Sequence, residues 1–279
     1  MKLATIRHNG STVAARIDSA IEDGQSTGTV IDGFADISAL LSSPHWKQLA
    51  ADASGEKISA AGTDYAPVVP NPGKIICVGL NYRTHITEMG REIPNYPTLF
   101  AKFADVLTGP YDDVAVPGYA ATQLDWEAEL AVVIGKTARR VHSGDAAAHI
   151  AGYAVINDYT MRDYQFRTLQ WDQGKIFEKT AGFGPFLDTD YQLGSTIQTH
   201  LNGEVMQSAK TDDLVFGPVA LVEYISHITT LRPGDVIITG TTGGVGHARK
   251  PAIYIQDGDS VEVTIDGLGT VRNTTRITD

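Results

Sequence analysis

LDWEAELAVVIG, residues 124–135, changes character halfway along. Asp125, Glu127 and Glu129 occupy every second position, Leu124, Trp126, Ala128 and Leu130 fill the gaps, and an unbroken apolar run, AVVIG, follows. Successive side chains of a β-strand point to opposite faces, so an extended reading puts the three carboxylates on one side. Like charges at that spacing repel, and water, basic side chains or a metal ion must hold them. A solvated strand face would show the same alternation. Two features favour a built site: Trp126 and the apolar run imply a strand covered on at least one side, and a second strand candidate, AGYAVIND (151–158), ends in another carboxylate, Asp158. Carboxylate oxygens completed by water are the usual environment of Mg²⁺ or Mn²⁺. Zinc suits the set less, because no histidine lies nearby in sequence.

The surrounding chain is that of an ordinary globular protein. It has 279 residues, 42% hydrophobic and 20% charged, enough for one large domain or a main domain with a small accessory one. A formal charge of −11 and a pI near 5.1 oppose binding to phosphate backbones, so no nucleic-acid partner is expected. The single cysteine, Cys77, excludes an intrachain disulfide and a cysteine-based zinc site. The N-terminus lacks the apolar core of a signal peptide, and no apolar run reaches membrane-spanning length. A soluble cytoplasmic protein with no membrane partner is the expectation.

Residues 1–70 read as a small unit. KLATIRH and STVAARI flank an Asn-Gly turn, ISALLSS and HWKQLAADA are short helix candidates, and PVVPNPG (67–73) is a connector. Residues 71–279 are richer in strands: KIICVGL, TLFAKF, DWEAELAVVIG, AGYAVIND, a hairpin in THLNGEVMQ, then DVIITG, AIYIQDGD, SVEVTID and GLGTVRN. PVALVEYISHITTL has helical spacing with proline near its start. The fold class expected is mixed α+β, rich in β. Nucleotide motifs fail: Leu130 stands where a P-loop ending in GKT (135–137) needs glycine, and TGTTGGVG (239–246) lacks Rossmann spacing. Neither HExxH nor GxSxG occurs.

Three further stretches carry chemistry. In NYRTHITEMG (81–90), His85 and Glu88 are three apart, so a helical turn puts them side by side, and a carboxylate beside an imidazole raises its basicity. Gly79 and Gly90 bracket that turn and would allow a lid. In DYTMRDYQFRTLQWDQGK (158–175), Arg162 and Gln165 fall four and seven residues after Asp158, on one helical face, with Lys175 after a short loop. Such groups suit an anionic substrate or a structural salt bridge. The small residues of TGTTGG, Gly240 and Thr241 among them, can offer backbone N–H groups and a hydroxyl to a carboxylate.

Taken in order, KIICVGLNYRTHITEMG, PTLFAKF, DWEAELAVVIGK, AGYAVINDYTMRDYQ, GKIFE, LNGEVMQ and LRPGDVIITGTTGGVG with GDSVEVTIDGLGTVRN resemble the fumarylacetoacetate hydrolase superfamily over residues 71–275. The resemblance implies a sandwich-like β roll or barrel, a homodimer, and Mg²⁺ or Mn²⁺ held by Glu127, Glu129 and Asp158. It implies a lid dyad of His85 and Glu88, with Gln165, Lys175 and Thr241 around a small 2-keto acid substrate. The activity it suggests is acylpyruvate hydrolysis, with fumarylpyruvate from gentisate-type aromatic catabolism as leading substrate. Decarboxylation of oxaloacetate, or isomerisation or decarboxylation of hydroxyheptadienedioate-type acids, is the alternative. A non-catalytic binding protein is the alternative of another class. Gly182 and Thr242 stand where relatives usually have proline, which is expected to relax the backbone near the site.

Overall fold

Runs rich in Val, Ile and Thr favour strands, and they assemble here into a mixed α+β fold dominated by sheet. The computed structural model describes residues 1–20, 26–59 and 64–279. Its main sheet runs through Lys57–Ile58, Ser26–Val30, Ser11–Ala20, Lys2–His8, Ala181–Asp188, Ile150–Asp158, Ala128–Ile134, Val236–Thr241, Ile75–Gly79 and Thr98–Lys102. A five-stranded sheet of Glu204–Lys210, Thr196–Leu201, Ser260–Ile265, Gly269–Thr278 and Val114–Pro117 packs against it.

The Ala128–Ile134 strand lies at the centre, buried along its whole length. Ala128 and Leu130 pack on Ile197, Val263 and Val271 of the second sheet. Val132 and Ile134, further along the same face, meet Leu221, Val222 and Ile225 of the Pro218–Ile228 helix. On the other face Ala131 and Val133 join a core that includes Cys77, Ile156 and Phe183. Burial on both faces is why the run is apolar rather than alternating.

Both Asn-Gly turns close hairpins, with positive φ at Asn9 and Gly10 and at Asn202 and Gly203. Across the 67–73 connector the sheet is continuous. Leu3 pairs with Leu187, and Leu3, Ala14, Ile37 and Leu40 lie in the same core as Val133 and Ile156. Asp36 caps the Ile37–Leu41 helix by accepting from the Ala39 N–H at 2.7 Å, and its other oxygen accepts from Asn71 Nδ2 at 3.2 Å. Asp36→Ala should therefore cost about 1 kcal/mol, read as a lower urea midpoint with unchanged slope.

Two expectations need correction. LDWEAEL is not one strand: Leu124–Asp125 pairs with Thr160–Met161, and the main strand starts only at Ala128. AIYIQDGD forms no strand. The Ile253 N–H donates to Gly246 O and the Ile255 N–H to Leu124 O, while the Asp259 side chain turns the chain at Gln256, so no ladder forms.

Candidate active site

The break in LDWEAEL separates the first carboxylate from the other two. Asp125 accepts from the backbone N–H groups of Trp126 (2.8 Å), Gly246 (2.7 Å) and His247 (2.9 Å), and from Arg162 Nε (2.9 Å). It anchors the 242–247 loop and takes no place beside Glu129. Glu127 is held differently. Its N–H donates to Asn157 Oδ1 at 3.1 Å and its carbonyl accepts the Asp158 N–H at 2.9 Å, which locks it beside the end of the Ile150–Asp158 strand. Pairing of Ala128 with Asn157 then sets Glu129 on the same rim. One oxygen from each of Glu127, Glu129 and Asp158 lies within 4.8 Å of the others, all three residues being buried.

Cations surround the trio. Lys175 Nζ contacts Glu127 Oε2 at 2.5 Å and Asp158 Oδ2 at 2.8 Å, and Arg162 Nη1 contacts Glu127 Oε1 at 2.8 Å. Lys102 Nζ meets Asp158 Oδ1 at 2.5 Å and donates to the Lys175 carbonyl. Four buried carboxylates (Asp125, Glu127, Glu129, Asp158) thus face three buried cations (Lys102, Arg162, Lys175), and the unmatched charge is at Glu129, whose one described contact is the Gly240 N–H at 2.5 Å. Burial opposes ionisation of Glu127, but Lys175 and Arg162 outweigh it and hold its carboxyl down at about 2. At Glu129 burial, then Asp158 and Glu127, push the carboxyl well above its usual range. Burial works against the Lys175 ammonium too, yet Asp158 and Glu127 keep its pKa above the ordinary lysine value.

A divalent cation fits this set. Its donors are three carboxylate oxygens within 4.8 Å of one another, the hard ligands that Mg²⁺ and Mn²⁺ take. Each carboxylate oxygen has a second acceptor direction beyond its present partner, and an ionised Glu129 would have no counter-ion of its own. The raised Glu129 carboxyl has a sign that can be checked. The folded protein keeps a proton there that the unfolded chain has lost, so this contribution to metal-free stability is full below the ordinary carboxyl range and is lost as pH rises. Glu127, at about 2, adds nothing that varies in that window. In thermal melts with chelator, the parent should lose stability relative to Glu129→Gln as pH rises above the ordinary carboxyl range. Parallel curves would contradict this.

The His85–Glu88 pair forms as spacing implies, on the Arg83–Glu88 helix, with Nδ1 and Oε2 3.2 Å apart. The Gly244 N–H pins Glu88 at 2.9 Å. Burial raises the Glu88 carboxyl, but His85 and the Gly244 N–H bring it below its usual value, so it stays an acceptor. Nδ1 must then carry the hydrogen, and Nε2 is the basic nitrogen. The helix is docked at its other end as well: the Arg83 N–H donates to Asp213 O, and Asn81, fully buried, bonds the carbonyls of Phe216 and Thr239.

Other sequence-derived positions shift in detail. Arg162 and Gln165 do not continue a helix from Asp158, because Thr160–Met161 is extended and only Arg162–Gln165 turns. They still meet, Arg162 Nη1 donating to Gln165 Oε1 at 3.0 Å, and the buried Arg162 Nη2 has no hydrogen-bond partner among the described residues. Gly240 gives its N–H to Glu129 rather than to an outside anion, and the Thr241 hydroxyl donates to Ala128 O (3.0 Å) and accepts from Gln207 Nε2 (2.8 Å). Gly182 and Thr242 are held, not relaxed: a Cβ at 182 would lie 2.1 Å from Asn273 Oδ1, and the buried Thr242 gives its carbonyl to Gln207 Nε2. Sequence reasoning passed over Lys102 and Gln207. The signal for Lys102 was a lone lysine at the end of an apolar strand, TLFAK.

His85, Glu127, Glu129, Arg162, Gln165, Lys175 and Thr241 line one cavity of about 80 Å³, with Gly79, Phe100 and Trp171 among its walls. No helix among the described residues is long and apolar enough to cross a membrane.

Comparison with known proteins places these features in a lineage. Residues 74–276 match the family model described as "Fumarylacetoacetate (FAA) hydrolase C-terminal". The chain is 42% identical over 217 residues to "Oxaloacetate tautomerase FAHD2A, mitochondrial" of Bos taurus, and equally to that of Homo sapiens, covering 76% of this chain and 68% of each relative. Among solved structures, the fumarylacetoacetate hydrolase of psychrophilic Exiguobacterium antarcticum superposes with a TM-score of 0.87 at 30% identity over the full length of both chains. The 2-hydroxyhepta-2,4-diene-1,7-dioate isomerase of Mycobacterium marinum gives 0.83 at 30% identity, covering 100% of this chain and 99% of that one.

Proposed function

The chain belongs to the fumarylacetoacetate hydrolase family, and from that premise we propose that it is a divalent-metal enzyme of short 2-keto acids, acting first as an oxaloacetate tautomerase. One juxtaposition carries this reading: a carboxylate-oriented imidazole and two carboxylates of a cation site, Glu127 and Glu129, line the same small cavity. The name borne by the relatives at 42% identity supports oxaloacetate over the acylpyruvates.

Mg²⁺ or Mn²⁺ held by Glu127, Glu129 and Asp158 would supply Lewis-acid polarisation of a 2-keto oxygen. The protein groups supply the rest. His85 Nε2, oriented by Glu88, takes a proton from C3 of the keto form, the C–H electron pair moves into the C2–C3 bond, and the keto oxygen gains a proton from solvent. The reverse transfer regenerates the ketone, so no atom is lost. Lys175 opposes the negative charge that develops on that oxygen, and the guanidinium of Arg162, which lines the cavity and has an unpartnered Nη2, would take a substrate carboxylate. Gln165 holds the guanidinium in position.

Acylpyruvate hydrolysis is the second reading. The same dyad would draw the proton from water instead, and the dyad geometry favours it equally. The assay that separates these adds protein with Mn²⁺ to freshly dissolved enol oxaloacetate, following enol absorbance and pyruvate together. Faster loss of enol without pyruvate supports the tautomerase. Pyruvate from oxaloacetate makes it a decarboxylase, and pyruvate from fumarylpyruvate with no effect on oxaloacetate makes it the hydrolase. A homodimer is part of the proposal, and light scattering of the purified protein tests it.

A further inference from the structure

We infer that Trp171, seated on Gly79 and Phe100, is a specificity-determining wall that limits the site to 2-keto acids of about four carbons. The inference rests on the 2-keto acid reading and deepens it by naming the size class of the substrate.

Gly79 ends the Ile75–Gly79 strand at the cavity. A Cβ built there would lie 2.2 Å from Trp171 Cζ3 and 2.8 Å from Cη2, so the indole occupies the space any other residue would fill. Phe100 closes the wall from the side, edge to face with the indole at 5.7 Å between ring centroids. Its ring is also 5.7 Å from Lys175 Nζ, which places the wall beside the ammonium. Trp171 opens the short helical turn Trp171–Gly174, and Lys175 follows at once, so one turn delivers both the cation and the barrier. The preceding loop is solvent-exposed, with Leu169 99% accessible, and the indole lines the cavity from its far end while Phe166 lines it from the near end.

The cavity, about 80 Å³, is open to solvent elsewhere, and the indole and Phe100 close it on the Lys175 side. A longer acyl chain directed to this side must displace the indole or lay a distal carboxylate against two aromatic rings, where its lost hydration is not replaced. One methylene against such a wall changes kcat/KM by about 10–200-fold.

The test compares the parent with Trp171→Ala, Trp171→Phe and Phe100→Leu, all loaded with Mn²⁺. Trp171→Ala should raise the kcat/KM ratio of fumarylpyruvate to oxaloacetate by about 10-fold or more, with Trp171→Phe between it and the parent. Misplacement of Lys175 would slow both substrates alike and leave the ratio unmoved. A second readout needs no turnover: the melting-temperature rise given by pyruvate, 2-oxobutyrate, 2-oxoglutarate and 2-oxoadipate. The parent should respond to the short acids only, and the alanine variant to the longer ones too. If Trp171→Ala does not melt cooperatively, the two conservative variants carry the comparison. Ratios within two-fold of the parent and an unchanged cut-off overturn the inference. Inactivity of the parent on oxaloacetate would overturn the proposed function while the ligand cut-off still decides the wall.

Discussion

With His85 replaced by Asn, turnover of oxaloacetate falls by about 10²–10⁴-fold, the usual contribution of a positioned general base. The melting-temperature rise produced by Mn²⁺ stays as in the parent, because His85 is not among the three carboxylates that hold the ion. The imidazole nonetheless lies close enough to Glu127 to lower that carboxyl further. Glu88→Gln should cost less, about 10–100-fold, by analogy with the carboxylates that orient metal-ligating histidines. The imidazole remains, and Gln can still accept from Nδ1. Spontaneous decarboxylation aided by the cation would survive both changes, so measuring CO₂ beside enol decay shows which reaction needs the dyad. Parent-like enol decay in the Asn variant would remove His85 from the mechanism.

Arg162→Met is expected to give the largest loss of stability, about 3–5 kcal/mol, the cost of removing one partner from a buried ion pair. Arg162 serves two carboxylates at once, Asp125 at 2.9 Å and Glu127 at 2.8 Å, and both are buried. Neither can turn to water. At about 2–4 °C per kcal/mol for a chain somewhat shorter than this one, the midpoint should fall by roughly 10 °C. Adding Asp125→Asn should recover part of that loss, because it removes one of the stranded charges, and the double variant then measures the coupling between them. The guanidinium also ties the 242–247 loop to the site through Asp125, so proteolysis within that loop should rise in Arg162→Met. A midpoint within 2 °C of the parent would show that the carboxylates are relieved in some other way.

Much of this architecture is legible in the residues themselves, for reasons that can be named. Asn-Gly turns have a steep local preference, so both hairpins follow from two residues each. AVVIG and AGYAVIND are apolar runs of strand length, and they become the central strands. His85 and Glu88 are three apart on a short helix, a relation that spacing alone decides. What spacing did not decide is long-range. Alternation in LDWEAEL suggested a single strand, but Asp125 is drawn away by three backbone N–H groups and by Arg162, partners up to 122 residues distant. Lys102 lies 56 residues from Asp158, and no local pattern shows that the two ends meet. The roles of Gly240 and Thr241 changed for the same reason: groups that looked free to bind a ligand already have protein partners, Glu129, Ala128 and Gln207.

The central claim is that three carboxylates, Glu127 just ahead of one strand, Glu129 within it and Asp158 at the end of its neighbour, form one cation site, and calorimetric titration of Mn²⁺ into chelator-stripped protein tests it most directly. The parent should take up one ion per chain, with release of the proton that burial and the neighbouring carboxylates favour on Glu129. At 100 times the dissociation constant the bound ion should add about 2.7 kcal/mol of stability. Glu129→Ala and Asp158→Ala should each abolish the uptake. Equal uptake by parent and variants, or none by the parent, would contradict the account.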